Sequence, residues 1–406
     1  MHWASSPELE QYFTTEERDR RWARIREAMD ARGIDLLVAL PQWMVEDSLY
    51  LANETGAVLF PLVGDPAIII GGEGSDRAVK QKGWIGDRAS ATAGGSTRVP
   101  YGAAVAERMG AMGLTGKRVA IAGLRGSDLV LVRQPEGYAN YTTVNTIAAA
   151  IPGAEIVDGT PVMAAARHQK SEAELQVMRA AIRIAEAGST AMHEHTRPGV
   201  EQAEVFAQML IAMMRAGATV SETSWCGGPW GEHKWRYVTP PPGVIGERWH
   251  VGAEIMPQLR GYNCQIQQAV WVGPMEPQAE EIFALNAAAF ERSCQLMRTG
   301  ALWDEVEAEV MRVADGTDYE ICFLLHGRGL GNEGPILIPV DSHESVRGVA
   351  LAEGSTFVVK PYAFPKGVGY VHVTRQTDVT WGDTVVVRKD GAERLGSRPI
   401  ELLRVP

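Results

Sequence analysis

The chain has no apolar run approaching the ~20 residues needed to cross a bilayer, and its opening segment, Met1 to Glu10, has neither a positive n-region nor an apolar h-region. A soluble cytoplasmic protein with no membrane partner is expected. Only four cysteines occur, Cys226, Cys264, Cys294 and Cys322, far apart and without a C-x-x-C pair. That spacing argues against a disulfide framework or a zinc knuckle and fits a reducing compartment. Basic tracts are missing as well. The net charge of -11 argues against a nucleic-acid partner, because such binding is driven by Lys and Arg releasing counterions from phosphates. The glycine-rich pieces at Gly71 and Gly94 carry neither a Walker lysine nor a Rossmann fingerprint, so nucleotide binding is not supported.

What is present reads as globular. With 406 residues, 45% of them hydrophobic, the chain is too long for one ordinary core and points to two domains of unequal size. Trp22, Ile25 and Met29 recur at helical spacing before Gly33, and the apolar run Ile34 to Leu40 follows: helix, terminal glycine, buried strand. Further strand-like runs at Ala57 to Leu62, Ala67 to Ile70 and Val119 to Ala122 predict an α/β domain over 1–160. A second domain, 161–406, opens with Ser171 placed three residues before Glu174, a capping box for a long helix reaching about His195. Within it a weak repeat appears. Thr196 to Gly199 separates one helix from another ending near Gly217, and Arg298 to Gly300 does the same between helices at 279–298 and 302–315. Each pair precedes a strand-rich stretch, so two like halves enclosing a cleft are expected.

One stretch looks like a metal site with its ligands replaced: E-I-M-P-Q-L-R-G-Y-N-C-Q-I-Q-Q from Glu254 to Gln268. It resembles the central strand pair of the pita-bread family (methionine aminopeptidase, Xaa-Pro aminopeptidase and prolidase, creatinase), in which D-x-G...G-Y-x-x-D-I-T-R carries two metal-binding aspartates. The R-x-x-K-S-x-x-E-L phrase from Arg167 to Leu175, Gly261 with Tyr262, H-G-R-G from His326, and the run Gly382 to Gly391 occur in the family's order. The resemblance implies an N-terminal creatinase-like α/β domain and a C-terminal pseudo-symmetric pita-bread α+β domain. It also implies a homodimer in which one N-terminal domain partly closes the neighbour's cleft.

Five metal ligands are expected in metal-dependent members. Their places hold Glu254, Gln265, His326, Lys360 and Gly382 here, so only His326 is retained. A neutral amide is a weak substitute for a bridging carboxylate, and an ammonium would repel a cation by several kcal/mol in a partly buried site. No metal and no other cofactor is therefore expected. Glu254 remains able to bind a metal with His326, but an ion pair with Lys360 would relieve two buried charges at once and is favoured. Glu333, where relatives often have a second histidine, either orients His326 or a substrate amine, or is an exposed loop acid.

His233, at the end of G-G-P-W-G-E-H, matches the histidine that in creatinase is the acid/base of a metal-free hydrolysis; His250 competes for the role. Trp225, Trp230, Trp235 and Tyr237 suggest an aromatic wall for an apolar or cationic group, or else core or dimer contacts. Lys360, Arg328 and Arg375 offer positive charge to a carboxylate, while Gln265, Gln267 and Gln268, with Tyr262 beside them, suit a neutral polar group. The resulting expectation is a metal-independent, creatinase-like hydrolase of a carbon–nitrogen bond in a small carboxylate-bearing amide, amidine or amino-acid derivative. Its catalytic groups would be His233, His326 and Glu254. The alternatives are a lyase on the same scaffold, or a non-catalytic peptide- or partner-binding pseudo-peptidase.

Overall fold

A computed structural model describes residues 13–41, 46–71, 83–93, 97–98, 101–125, 137–232, 234–236, 241–337, 347–368 and 379–406. The chain divides into two compact units. One extends to His168 and includes Leu330–Asn332; the other holds Gln169–Gly329 and Glu333–Pro406.

In the first unit the helix Thr15–Asp30 starts where the Thr14 hydroxyl accepts from the Glu17 N–H at 3.4 Å. It stops before Gly33, whose φ of 62° only glycine adopts without strain. The apolar run beyond it becomes the strand Leu36–Ala39, buried at every position because it lies inside a sheet of six. That strand pairs antiparallel with Ala57–Pro61 and parallel with Arg118–Ile121, which in turn pairs parallel with Glu155–Asp158. Leu36, Val38, Leu59, Ile69, Val105, Ile121 and Ile147 form one apolar cluster. A buried Asp47 closes the unit electrostatically, accepting from Arg167 and from the Tyr138 hydroxyl. Burial and that carboxylate raise the Tyr138 phenol well above its ordinary range.

The second unit opens with the capping box. Ser171 Oγ accepts from the Glu174 N–H at 3.1 Å, and Glu174 Oε2 accepts from the Ser171 N–H at 2.9 Å, starting the helix Glu172–His195. At Gly188 this helix runs so close to its neighbours that a Cβ would come within 2.8 Å of Met213 and 3.4 Å of Ile255. The expected repeat is present. Helices Glu172–His195 and Gln202–Arg215 precede the strands Val220–Pro229 and Trp249–Leu259, and helices Pro277–Leu296 and Trp303–Met311 precede Leu325–Leu337 and Thr356–Val359. Strands from both halves join one ten-stranded sheet. Its second half rests on Phe290, Trp303, Phe357 and Trp381, which meet edge to face: Phe290 with Trp381 at 4.8 Å, Trp303 with Phe357 at 4.9 Å. Each such pair adds ~0.5–1.5 kcal/mol beyond area burial. Among the described residues no helix is long and apolar enough to cross a membrane.

Candidate functional site

Strand pairing decides which side chains share a face. Glu254 lies opposite Ser224 on one neighbouring strand and opposite Gln267 on the strand Ile266–Val272 at its other side. Gln267 exchanges backbone hydrogen bonds with Gly382, at 2.9 and 3.1 Å. Two residues on, Thr384 lies opposite Val358, and Val358 opposite His326. Because side chains alternate along a strand, Ser224, Glu254, Gln265, Gln267, Thr384, His326, Arg328 and Lys360 occupy one face. The residues between them, Ile255, Ile266, Phe357, Val359, Val385 and Leu325, turn to the other. Phe357 meets Trp303 of a helix there, and Ile255 approaches Gly188 of another.

Most of the polar face is bonded within itself, although the buried Gln265 Nε2 has no hydrogen-bond partner among the described residues. Glu254 Oε1 accepts from Lys360 Nζ, the ion pair favoured from sequence, and Oε2 accepts from Ser224 Oγ at 2.7 Å. Burial pushes the Glu254 carboxyl up, but the Lys360 charge and hydrogen bond, the Ser224 hydroxyl and the Arg328 charge outweigh it and hold the pKa at about 2. Gln265 Oε1 accepts from Arg328 Nη2, which also lies 3.0 Å from Met256 Sδ. Gln267 Nε2 donates to Tyr362 Oη at 3.1 Å and to Thr380 Oγ1. His326 is buried, its Nδ1 3.3 Å from the carbonyl of Gly327.

These residues do not fit the family's pair of metal ions. Both Glu254 oxygens and the Gln265 carbonyl oxygen already accept hydrogen bonds from other side chains, and Lys360 puts an ammonium against Glu254. With Glu254 ionised, Lys360 protonated and the other three groups neutral, the five places sum to zero charge. A divalent ion would sit there uncompensated. Gly382 cannot easily regain a side chain: a Cβ there would lie 2.7 Å from Lys360 Cβ and 2.8 Å from the Val359 carbonyl oxygen. Among the described residues no group of three or more His, Cys, Asp or Glu is placed to hold a metal.

Several residues expected at the site lie elsewhere or are engaged. Gln268, opposite Ala253, turns to the other face, where it donates to the carbonyls of Ala269 and Glu401 and accepts from Arg398. Tyr262 donates its hydroxyl to Glu174 Oε1 at 2.9 Å and ties the long helix to the sheet. Glu333 is not an exposed loop acid; it is buried and paired with Lys170. Trp230 packs half-buried against Trp271, their rings 5.4 Å apart, and Trp225 is core, donating to Gln202 at 2.9 Å. His250 is buried with its Nδ1 3.8 Å from Cys226 Sγ, on the same face as Glu254 by alternation. His233, Tyr237 and Arg375, and the side chain of Trp235, lie outside the described residues.

Sequence reasoning did not single out Ser224, Tyr362 or Thr380, since only the register brings them to Glu254 and Gln267. Lys170 did carry a signal, as the lysine of the R-x-x-K-S phrase. Asp383, next to Gly382, is likewise buried; desolvation raises its pKa against the pull of Arg398 and Arg394.

Comparison with known proteins adds a family frame. The model of metallopeptidase family M24 matches residues 176–389, just over half the chain. An uncharacterized hydrolase/peptidase of Sinorhizobium fredii is 25% identical over 197 residues, covering 45% of this chain and 48% of that protein. The creatinase of a Bacillus species is 24% identical over 174 residues, 40% of this chain and 41% of that enzyme. The chain thus spans about half the length of these relatives. Among solved structures, an Xaa-Pro dipeptidase from Bacillus anthracis superposes with a TM-score of 0.73 at 20% identity, over 96% of this chain and 100% of that one. The fold is the pita-bread fold.

Proposed function

The chain belongs to metallopeptidase family M24, and from that premise we propose that it hydrolyses a carbon–nitrogen bond without a bound metal. The substrate is a small amide, amidine or amino-acid derivative bearing a carboxylate. The observation that carries the reading is the Glu254–Lys360 pair, which leaves the five family ligand places neutral as they stand. Chemistry then rests on side chains.

His233 takes a proton from water as its oxygen attacks the carbonyl or amidine carbon. As the carbon–nitrogen bond breaks, it returns that proton to the leaving nitrogen. Lys360 anchors the substrate carboxylate, Glu254 receives a cationic or N–H-bearing end, and His326 orients the reacting group. Arg328 fixes the Gln265 amide beside them.

A panel of carboxylate-bearing amides and amidines, assayed with and without chelator, tests this. Turnover that survives the chelator and falls about a hundredfold or more in His233→Ala is expected. Activity lost to chelator and restored by zinc or manganese would overturn metal independence, and an unaffected His233→Ala would overturn the proton carrier. A second reading, a non-catalytic binding protein on the same scaffold, is favoured by the closure of Glu254 on Lys360 and Ser224 and of Gln267 on Tyr362 and Thr380. The absence of turnover across the panel would select it.

A further inference from the structure

Glu254 and Lys360 are opposite charges closed on each other, each more than nine-tenths buried, with Ser224 on the second carboxylate oxygen. Around them, by register, the face carries Gln265, Gln267, Tyr362 and Thr380, with His250, His326 and the guanidinium of Arg328. Any ligand that enters must separate the pair, and a buried charge stripped of its counterion is strongly unfavourable. What exposure this face keeps includes the pair and His326. Glu254 and His326 each keep 6% of their surface, whereas Ser224, Gln265 and Gln267 keep none.

We propose that this site selects zwitterions by ion-pair exchange: the ligand's cation replaces Lys360 on Glu254 while its carboxylate takes the released ammonium. The inference rests on the proposed function only in locating the substrate at this face, and it adds what that substrate must carry. The exchange leaves Glu254 and Lys360 both compensated, two pairs in place of one.

A ligand carrying only a carboxylate takes Lys360 but leaves Glu254 with Ser224 and the nearby Arg328 charge, a partial compensation. A ligand carrying only a cation takes Glu254 and leaves the buried Lys360 ammonium without the carboxylate it was closed on, with nothing negative brought in to replace it. The order of affinity is therefore zwitterion, then anion, then cation. A metal ion, cationic and without a carboxylate, falls in the last class.

The test uses matched ligands and reads binding alone. Guanidinoacetate, 3-guanidinopropionate and 4-guanidinobutyrate supply zwitterions of three lengths; the corresponding N-carbamoyl amino acids are the anions and the guanidino primary amides the cations. Titration calorimetry on the full chain should rank them in the stated order, with the zwitterion of best length at least about tenfold tighter than its anion and a hundredfold tighter than its cation. Glu254→Gln should erase the advantage of the zwitterion over the anion. Lys360→Met should lift the cation above the anion, and the neutral double variant, which removes the buried charge a single change strands, should bind all three alike. Equal affinity across the classes in the unaltered chain, or no zwitterion binding up to about 10 mM, overturns the proposal. Because no turnover enters, the expected ranking with a catalytically silent chain would sink the hydrolase reading and leave this one standing.

Discussion

Replacing Lys360 with methionine keeps an unbranched stem of similar length and removes the ammonium, so its cost isolates the charge that faces Glu254. The carboxylate would then be buried with Ser224 as its remaining hydrogen-bond donor. Breaking one partner of a buried pair costs about 3–5 kcal/mol. The depressed acidity points the same way: a carboxyl moved from 4.5 to about 2, the balance of burial against Lys360, Ser224 and Arg328 together, corresponds at 1.36 kcal/mol per unit to about 3 kcal/mol in favour of the ionised form. The two agree. At roughly 2–4 °C per kcal/mol for a unit of this size, the midpoint should fall by about 6–20 °C. The sign of the pH dependence should also reverse. In the unaltered chain the Glu254 contribution is fully present above its unfolded value near 4.5 and is lost as pH falls towards about 2. In Lys360→Met burial no longer has its main opponent, so protonating Glu254 relieves the fold and acidification below the ordinary carboxyl range stabilises it relative to neutral pH. Thermal unfolding of Lys360→Met, Glu254→Gln and the double variant between pH 3 and pH 7 measures both effects, with most of the lost stability returning in the double variant. A single variant as stable as the unaltered chain, with the same pH slope, would refute the buried pair.

Gly382→Ala places a Cβ 2.7 Å from Lys360 Cβ and 2.8 Å from a backbone oxygen, so denaturant titration should show a loss of about 1–3 kcal/mol. Tyr262→Phe leaves Glu174 Oε1 without its 2.9 Å donor and should lower stability by about 1–3 kcal/mol while KM stays unchanged; a raised KM with normal stability would return Tyr262 to the substrate. Sedimentation equilibrium at micromolar concentration should give twice the chain mass, because the family resemblance implies a shared cleft; a fully active monomer would contradict that.

Local signals carried much of this fold. Ser171 and Glu174, three residues apart, were readable as a helix start because a capping box is built from neighbours. The Glu254–Lys360 pair was legible too, since the resemblance put both residues at ligand places and opposite charges there have few other resolutions. The glutamines were harder. Gln265, Gln267 and Gln268 look interchangeable in sequence, yet alternation gives the first two to the polar face and the third to the opposite one. Glu333 was obscure for another reason: its counterion is Lys170, 163 residues away, and nothing local announces so distant a contact.

Glu174 joins two kinds of contact at one carboxylate. Oε2 accepts from a backbone three residues earlier, a bond closed by a single turn of chain, and Oε1 accepts from Tyr262, 88 residues on. The loop-closure entropy of the second contact is much larger than that of the first. The start of the long helix can therefore form early and wait, and the Tyr262 hydroxyl reaches an oxygen already fixed in place. In folding, the carboxylate at the helix start is a docking mark: it converts a locally determined end of helix into the point where the hairpin that carries Glu254 comes to rest.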